Sequence, residues 1–157
     1  MDQILIFGAK YLFIVVVSFA LYQGVILRGQ ERKNYLIIGA LSCIVAFAIT
    51  KSAGMVYNDP RPFTQGVHPL IPHEPDNGFP SDHTVLSFLA AITSLRYWKE
   101  LGWISFAMAS FVGLSRVLVG IHHPIDVFAG AAIGILSVLL VSSLMKLLSK
   151  HVPAKNT

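Results

Sequence analysis

Long apolar runs separated by short polar or charged segments dominate the hydrophobic pattern of this chain. The five runs cover residues 4–27, 35–57, 83–98, 101–119 and 124–148. Each run is close to the ~20 residues that an α-helix needs to cross a bilayer. The pattern predicts an all-α fold, namely a polytopic membrane helix bundle with about five transmembrane helices. Because these helices use almost all of the length, we treat residues 1–157 as a single membrane-embedded domain.

The composition supports an integral membrane protein. Hydrophobic residues make up 54% of the chain and charged residues only 13%, with a mean hydropathy of +0.64. A soluble domain usually carries about 25% charged residues. The single cysteine, Cys43, excludes both an intrachain disulfide and a cluster of thiolate metal ligands.

The distribution of basic residues predicts the orientation of the bundle. If the helices alternate in direction, eight of the twelve Lys and Arg residues share one side: Arg28, Arg32, Lys33, Arg96, Lys99, Lys146, Lys150 and Lys155. The positive-inside rule makes this side cytoplasmic, so the loop over residues 58–82 faces the exterior. The net charge of +4 then reflects topology and contact with anionic lipid head groups, and we expect no nucleic-acid partner.

The exterior loop is long and rich in proline. It holds six of the eight prolines: Pro60, Pro62, Pro69, Pro72, Pro75 and Pro80. Proline stiffens a chain while preventing helix formation, and an ordered loop of this length is more often functional than passive. A floppy linker is the alternative. The loop also contains His68 and His73, whose roles the sequence leaves open.

Polar residues mark the end of this loop. Ser81 or Asp82 is a good N-cap for the third helix, and His83 would lie in its first turn. These three residues alone are explained by a helix cap. Helix N-termini also bind anions, because their N–H groups are unpaired and the helix dipole places partial positive charge there.

A second polar cluster follows the fourth predicted helix, in the sequence SRVLVGIHHPID. Arg116 lies one to two turns before the helix end, and Asp126 follows His122 by four residues. If the fifth helix begins near His122, this spacing places both side chains on one face, where the carboxylate orients the imidazole. Together with Arg61 and His83, all predicted at one membrane face, the cluster favours a catalytic site for an anion.

Two of these clusters resemble motifs of the type 2 phosphatidic acid phosphatase family, the membrane relatives of the vanadium haloperoxidases. The family motif P-S-G-H is similar to Pro80-Ser81-Asp82-His83, with Asp in place of Gly. The motif S-R-x5-H-x3-D is matched in full by Ser115, Arg116, His122 and Asp126.

The first family motif, K-x6-R-P, is only half present. Arg61 and Pro62 match it, but Gly54 occupies the lysine position and Lys51 lies one turn earlier. Within the family, the segments NDPRPF, HPLIPH and GFPSDHT resemble bacterial undecaprenyl-diphosphate phosphatases associated with bacitracin resistance. The resemblance covers residues 38–148, and many relatives have six spans where five are predicted here.

The resemblance implies a cofactor-free and metal-independent phosphoryl transfer from a lipid phosphate or diphosphate in the bilayer. His122 would be the nucleophile, Asp126 would hold its tautomer and His83 would protonate the leaving group. The phosphate oxygens would be bound by four groups: Arg61, Arg116, Ser81 and the backbone N–H groups at the start of the third helix. Asp82 is expected to contribute its N–H and to point its carboxylate away from the phosphate. Lys51 is either a further phosphate ligand or a lysine that snorkels to water.

Several alternatives remain at this point. The leading hypothesis is hydrolysis of undecaprenyl diphosphate at the outer face of a bacterial cell membrane, and the same chemistry would suit phosphatidylglycerophosphate, phosphatidic acid or lipid A. A different class is a metal-dependent hydrolase with ligands drawn from His68, His73, His83, His122 and Asp126. The last alternative is a lipid transporter without catalytic activity.

Overall fold

The structure, a computed structural model, describes residues 2–150, so the predicted cytoplasmic Lys155 lies outside the described residues. The regular elements of this part of the chain are helices, with one isolated bridge between Pro60 and Asn77 in the loop, which confirms the all-α fold. Its elements are α1 (Asp2–Lys10), α2 (Leu12–Ile26), α3 (Gly29–Val56), a 3-10 helix (Pro62–Gln65), α4 (Asp82–Leu95), α5 (Lys99–Leu118) and α6 (Pro124–Lys150).

Helix α4 is the central element of the bundle. It packs against α2, α3, α5 and α6, and nine of its residues are buried. Its fourteen residues extend about 21 Å, which is shorter than the ~30 Å hydrocarbon core of a bilayer. The prediction of a full span over residues 83–98 was therefore wrong. The helix ends at Leu95, where a tight turn begins in which the carbonyl of Ser94 accepts the N–H groups of Tyr97 and Trp98.

The number of membrane spans is smaller than the five predicted. Helices α3, α5 and α6 are each long and apolar enough to cross a bilayer. The first apolar run is divided at Tyr11 into α1 and α2, which meet at an angle of 49°. The described residues thus contain three candidate spans, or four if the bent pair is counted as one. The chain is a membrane protein with several transmembrane helices.

The lipid-facing surface is apolar, as a bilayer requires. Large hydrophobic side chains on α3 and α6, such as Ile44, Phe47, Phe128 and Leu136, are more than half exposed. In water such a surface would be an aggregation site, whereas in lipid it costs nothing. The polar side chains of Ser87 and Thr93, in contrast, bond to carbonyls of their own helix inside the bundle.

Two glycines allow α6 to approach the central helix closely. A Cβ on Gly130 would lie 2.8 Å from the carbonyl oxygen of Ser81, and one on Gly134 would lie 2.5 Å from the carbonyl oxygen of Val85. Both neighbours are backbone atoms, which cannot rotate away. These positions form the small-residue stripe by which α6 packs on α4.

We expect Gly134→Ala to lower the stability of the folded protein by about 1–3 kcal/mol, because the added methyl overpacks a backbone contact. Thermal unfolding in detergent measures the change. Gly39→Ala is the matched control, since a Cβ at Gly39 meets no atom of the described residues within 4 Å. Equal effects of the two substitutions would contradict the close packing of α6 on α4.

Candidate active site

Helix ends converge on one polar cavity at one end of the bundle. The cavity has a volume of about 510 Å³, and it lies between the C-terminal ends of α3 and α5, the N-terminal end of α4 and the loop over residues 58–82. Four of the residues singled out from the sequence line it together: Arg61, His83, Arg116 and His122. The predicted convergence of two imidazoles and two guanidinium groups is present in the structure.

The hydrogen bonds of His122 define its tautomer. Its Nε2 lies 3.2 Å from Nη1 of Arg61 and 3.0 Å from Nη2 of Arg116. Guanidinium nitrogens only donate hydrogen bonds, so Nε2 must be the acceptor, with its lone pair directed at the arginines. The ring proton is then on Nδ1, which lies 3.1 Å from Oδ2 of Asp126. The unprotonated nitrogen of His122 is therefore the one that faces the cavity.

Asp126 is completely buried behind His122. Its Oδ2 accepts the Nδ1–H of His122 and the backbone N–H of His123, the latter at 2.9 Å. Helix α6 begins at Pro124, as the run over residues 124–148 predicts, so His122 lies in the turn before the helix. The four-residue spacing still pairs the two side chains, because the turn before the helix brings His122 back over the first helical turn.

The guanidinium of Arg116 is held by a carbonyl freed at the break between α1 and α2. Its Nη1 donates to the carbonyl of Ala9 at 2.9 Å, and 107 positions separate the two residues. The last carbonyls of any helix lack intrahelical partners. The break after Lys10 thus supplies an acceptor to a buried cation, which an unbroken span could not do. Sequence reasoning missed this contact because it involves only the backbone of Ala9.

Arg61 is fixed from two sides. Its Nη1 donates to the carbonyl of Ile121 at 2.9 Å, and its Nε donates to the carboxylate of Asp76. The 3-10 helix that follows Arg61 holds its backbone, since the Arg61 carbonyl accepts two bonds from Thr64. Partial burial raises the pKa of Asp76, but the hydrogen bond and the charge of Arg61 outweigh it and leave that pKa below its usual value. Asp76 is a carboxylate that orients Arg61, and sequence reasoning missed it.

Burial and like charge keep His122 neutral. Removal from water, followed by the charges of Arg116 and Arg61, lowers the pKa of His122 to about 2. A neutral imidazole with a free lone pair is the form that attacks phosphorus. His73, which also lines the cavity, has its pKa lowered by burial and by the charge of Arg61. It therefore offers a neutral hydrogen-bonding group to a ligand.

The residues at the start of α4 occupy different positions relative to the cavity. His83 lines it and packs edge-on against the ring of Phe13 of α2, with centroids 4.1 Å apart. Asp82 is exposed and also lines it, which differs from the expectation that its carboxylate would point away. Ser81 is buried behind the cavity surface. Its Oγ accepts from Thr84 and its N–H donates to the carbonyl of Asp126, so Ser81 positions α6 against α4.

Lys51 lies at the rim of the cavity. It is exposed, and its Nζ lies 5.5 Å from the centroid of the Phe47 ring. Gly54, at the lysine position of the first motif, leaves little room for a side chain, because a Cβ there would lie 3.1 Å from the carbonyl oxygen of Phe79. The position is thus used for close contact between α3 and the loop, and Lys51 is the basic residue that α3 presents to the cavity.

In residues 2–150 the histidines proposed as metal ligands do not form a group with metal-ligand spacing, although His73, His83 and His122 line the same cavity. His68 is exposed on the loop and is not among the described residues that line the cavity. In residues 2–150, the group with the composition and spacing of a metal site is Asp59, His123 and Asp126. This group shares only Asp126 with the predicted set.

The cavity lies at one end of an all-α membrane bundle, and the two arginines that line it suit a negatively charged ligand. Comparison with known proteins identifies the family, since residues 35–150 match the PAP2 superfamily. The chain belongs to this superfamily.

Several curated proteins are similar in sequence to this chain. The chain is 38% identical over 116 residues to the bacitracin transport permease protein BcrC of Bacillus licheniformis, covering 73% of this chain and 57% of that protein. It is 33% identical over 137 residues to undecaprenyl-diphosphatase BcrC of Bacillus subtilis, covering 87% and 70%. The chain thus spans little more than half of the first relative's length. Shorter matches include a lipid A 1-phosphatase of Porphyromonas gingivalis, 42% identical over 64 residues, covering 38% and 14%.

Solved structures share the fold. Aquifex aeolicus LpxE superposes with a TM-score of 0.69 at 26% identity, covering 90% of this chain and 82% of that one. A PAP2-type phosphatidylglycerolphosphate phosphatase from Bacillus subtilis gives a TM-score of 0.60 at 21% identity, covering 98% and 77%. The second likeness shows the fold alone.

We expect His122 to remain a neutral, Nδ1-protonated imidazole from about pH 8 down to pH 5 in the ligand-free protein. An ordinary histidine, with a pKa of about 6.5, gains its charge in this interval. Since the pKa of His122 is lowered on folding, the unfolded chain takes up the proton first, so the folded protein loses stability progressively as pH falls from about 6.5 toward about 2. Histidine 15N chemical shifts in detergent measure both tautomer and charge. Arg116→Gln should raise the pKa of His122, and an imidazolium at pH 6 in the unmodified protein would contradict the assignment.

We expect Gly8→Val to weaken the binding of inorganic phosphate by about tenfold, the loss of one charge-assisted hydrogen bond. A Cβ at Gly8 would collide with the Ser115 hydroxyl and lie 3.0 Å from the Phe111 ring, so α1 would move and withdraw the Ala9 carbonyl from Arg116. Titration calorimetry measures the affinity. Gly39→Val, on open helix surface, is the control, and an unchanged affinity in Gly8→Val would show that α1 does not position Arg116.

Proposed function

We propose that this protein is a lipid phosphatase that hydrolyses undecaprenyl diphosphate to the monophosphate and inorganic phosphate through a phosphohistidine intermediate. One observation carries the proposal. The Nε2 lone pair of His122 faces a cavity and receives N–H groups from two buried arginines, while Asp126 holds the opposite ring nitrogen. A tetrahedral phosphoryl group placed between the arginines would meet this lone pair directly.

In the first step, Nε2 of His122 attacks the terminal phosphorus of the substrate. A P–N bond forms as the bond from this phosphorus to the bridging oxygen breaks, and the electron pair leaves with that oxygen. The negative charge of the bound substrate favours a proton on His83, which donates it to this oxygen. Asp126 compensates the positive charge that develops on the imidazole of His122, as the buried carboxylate does in other Asp–His pairs.

In the second step, water hydrolyses the phosphohistidine. His83, now neutral, accepts a proton from the water as its oxygen bonds to phosphorus, and the P–N bond breaks to return the lone pair to Nε2. Inorganic phosphate then leaves. Both steps use the same two residues in reversed roles, so the cycle needs neither a metal nor a cofactor.

Arg61 and Arg116 stabilise the transferring phosphoryl group. In the ligand-free site their N–H groups are directed at Nε2 of His122, about 3 Å away. An entering phosphate would take over these donors and leave the lone pair free to react. The planar guanidinium fork binds two oxygens at once and keeps its charge, which suits the charge carried by the equatorial oxygens.

The choice of lipid rests on the relatives. Several curated relatives are named undecaprenyl-diphosphatases, whereas the lipid A 1-phosphatases match a shorter part of the chain. Lipid A, phosphatidic acid and phosphatidylglycerophosphate are the second candidates. The positive-inside distribution supports an active site that faces the exterior of the cell membrane. The charged side chains of the site gather at one end of the bundle, which favours catalysis over a transport path across the bilayer.

We expect purified protein to release phosphate from undecaprenyl diphosphate in the presence of EDTA, and His122→Ala to reduce kcat by about 10⁴-fold or more. His68→Ala is the matched control, because His68 belongs to the same exterior segment but lies outside the cavity. A panel of the four lipids with phosphate release as the readout decides the substrate. Full turnover in His122→Ala would refute the mechanism, and activity that EDTA removes and zinc restores would favour the metal-dependent alternative.

A further inference from the structure

A second Asp–His pair lies directly behind the first. Asp59 is at the start of the exterior loop, and its Oδ2 lies 2.9 Å from Nδ1 of His123. Both side chains are largely removed from solvent, with 13% of Asp59 and 30% of His123 exposed. The mechanism above uses neither residue.

His123 connects this pair to the nucleophile. Its backbone N–H donates to Oδ2 of Asp126, the same oxygen that accepts from His122. The ring and the backbone of His123 are therefore each bonded to a different carboxylate. A displacement of the backbone at His123 would therefore disturb both bonds, whereas the bond to Asp59 ties the ring of His123 to the exterior loop.

The backbone around Asp59 is rigid. Its N–H donates to the side-chain oxygen of Asn77, and its carbonyl accepts from Gly78, both at 2.9 Å. The amide nitrogen of Asn77 donates in turn to the carbonyls of Gly54 and Tyr57 at the end of α3. Asp59 is thus anchored to α3, so it provides a fixed reference for the turn that carries both histidines.

The carboxylates of Asp59 and Asp126 lie close together, so a hydrogen-bond donor is required to offset their repulsion. One ligand atom from each of Asp59, His123 and Asp126 lies within 4.8 Å of the others, and Oδ1 of Asp126 is buried without a hydrogen-bond partner in residues 2–150. Carboxylates this close repel each other. The imidazole N–H that His123 gives to Asp59 offsets part of this repulsion and keeps Asp126 in place.

We propose that Asp59 and His123 are positioning residues, which hold the carboxylate of Asp126 on Nδ1 of His122 and thereby fix the tautomer of the nucleophile. The inference rests on the proposed function, in which His122 forms the phosphohistidine. Asp59 acts through His123 and Asp126, and it touches neither the substrate nor the reacting nitrogen.

The same three residues have the composition of a cation site. The hydrogen bonds favour the positioning role, because Oδ2 of Asp126 already accepts two N–H groups and the Nδ1 of His123 faces a single carboxylate oxygen. An ion bound through Oδ2 of Asp126 or Nδ1 of His123 would have to displace these bonds. Metal dependence is therefore an outcome of the test that counts against the proposal.

The experiment compares Asp59→Ala and Asp59→Asn with the unmodified protein. Asp59→Ala should lower kcat by about 10- to 100-fold, the usual cost of losing a group that orients a functional histidine. The KM and the inhibition constant of inorganic phosphate should not change, because Arg61 and Arg116 are untouched. Asp59→Asn keeps an acceptor for His123 and should recover most of the lost kcat. Glu74→Gln, an exposed acid in the same loop, is the control.

Histidine 15N chemical shifts give a second readout that needs no substrate. Asp59→Ala should convert the single Nδ1-protonated form of His122 into a mixture of tautomers, while thermal unfolding confirms that the variant is folded. If the unmodified protein hydrolyses none of the lipids tested, the proposed function fails but the tautomer still tests the positioning role. An unchanged tautomer, an unchanged kcat, a parallel loss of phosphate affinity, or activity rescued by zinc would each overturn the proposal.

Discussion

The hydrogen bonds between two buried guanidinium groups and one imidazole nitrogen are the interaction on which the rest of this structure depends. Arg61 and Arg116 lie within about 3 Å of the same atom of His122, so two positive charges share a small buried volume. This arrangement is costly unless the remaining N–H groups are satisfied. The chain gives each arginine one carbonyl at an irregular point of the backbone, at the end of α1 for Arg116 and in the turn before α6 for Arg61, while Nε of Arg116 is buried without a hydrogen-bond partner in residues 2–150. The irregular elements of the fold are thus the ones that stabilise the cations.

The two positive charges of the ligand-free site repel each other, and an anionic ligand would reduce this repulsion. Two cations close together repel each other, and Asp76 forms a direct ion pair with Arg61 only. In the proposed function, a phosphoryl group would bring negative charge to the point where the two fields add, so its binding would relieve the repulsion and free Nε2 in the same event. Preorganisation of this kind requires a stiff scaffold. The prolines of the exterior loop and the close α4–α6 contact at Gly130 and Gly134 provide it.

The sequence alone predicted the helical class and the core of the site, because both depend on local patterns. The apolar runs identified the membrane helices, and the spacing of His122 and Asp126 predicted a pair that the structure contains. The length of α4 and the break at Tyr11 were missed, since hydropathy does not report which helix lies at the centre of a bundle. Asp59, Asp76 and the Ala9 carbonyl were missed because their contacts join positions far apart in the chain. Ser81 was assigned to the phosphate from its motif, whereas its burial and its bond to the Asp126 carbonyl give it a place in the scaffold.

The bond from Arg116 to the Ala9 carbonyl joins the second-last residue of α1 to the last turn of α5, and α1 precedes the segment that matches the superfamily. During biosynthesis the amino-terminal segment enters the bilayer well before its guanidinium partner has been translated. Until then the carbonyl of Ala9 lacks its bond to Arg116, and this bond cannot contribute to the orientation of the segment. This hydrogen bond can form only after α5 has docked, so the polar cavity acquires its final geometry after the segment that contains Ala9 has been made.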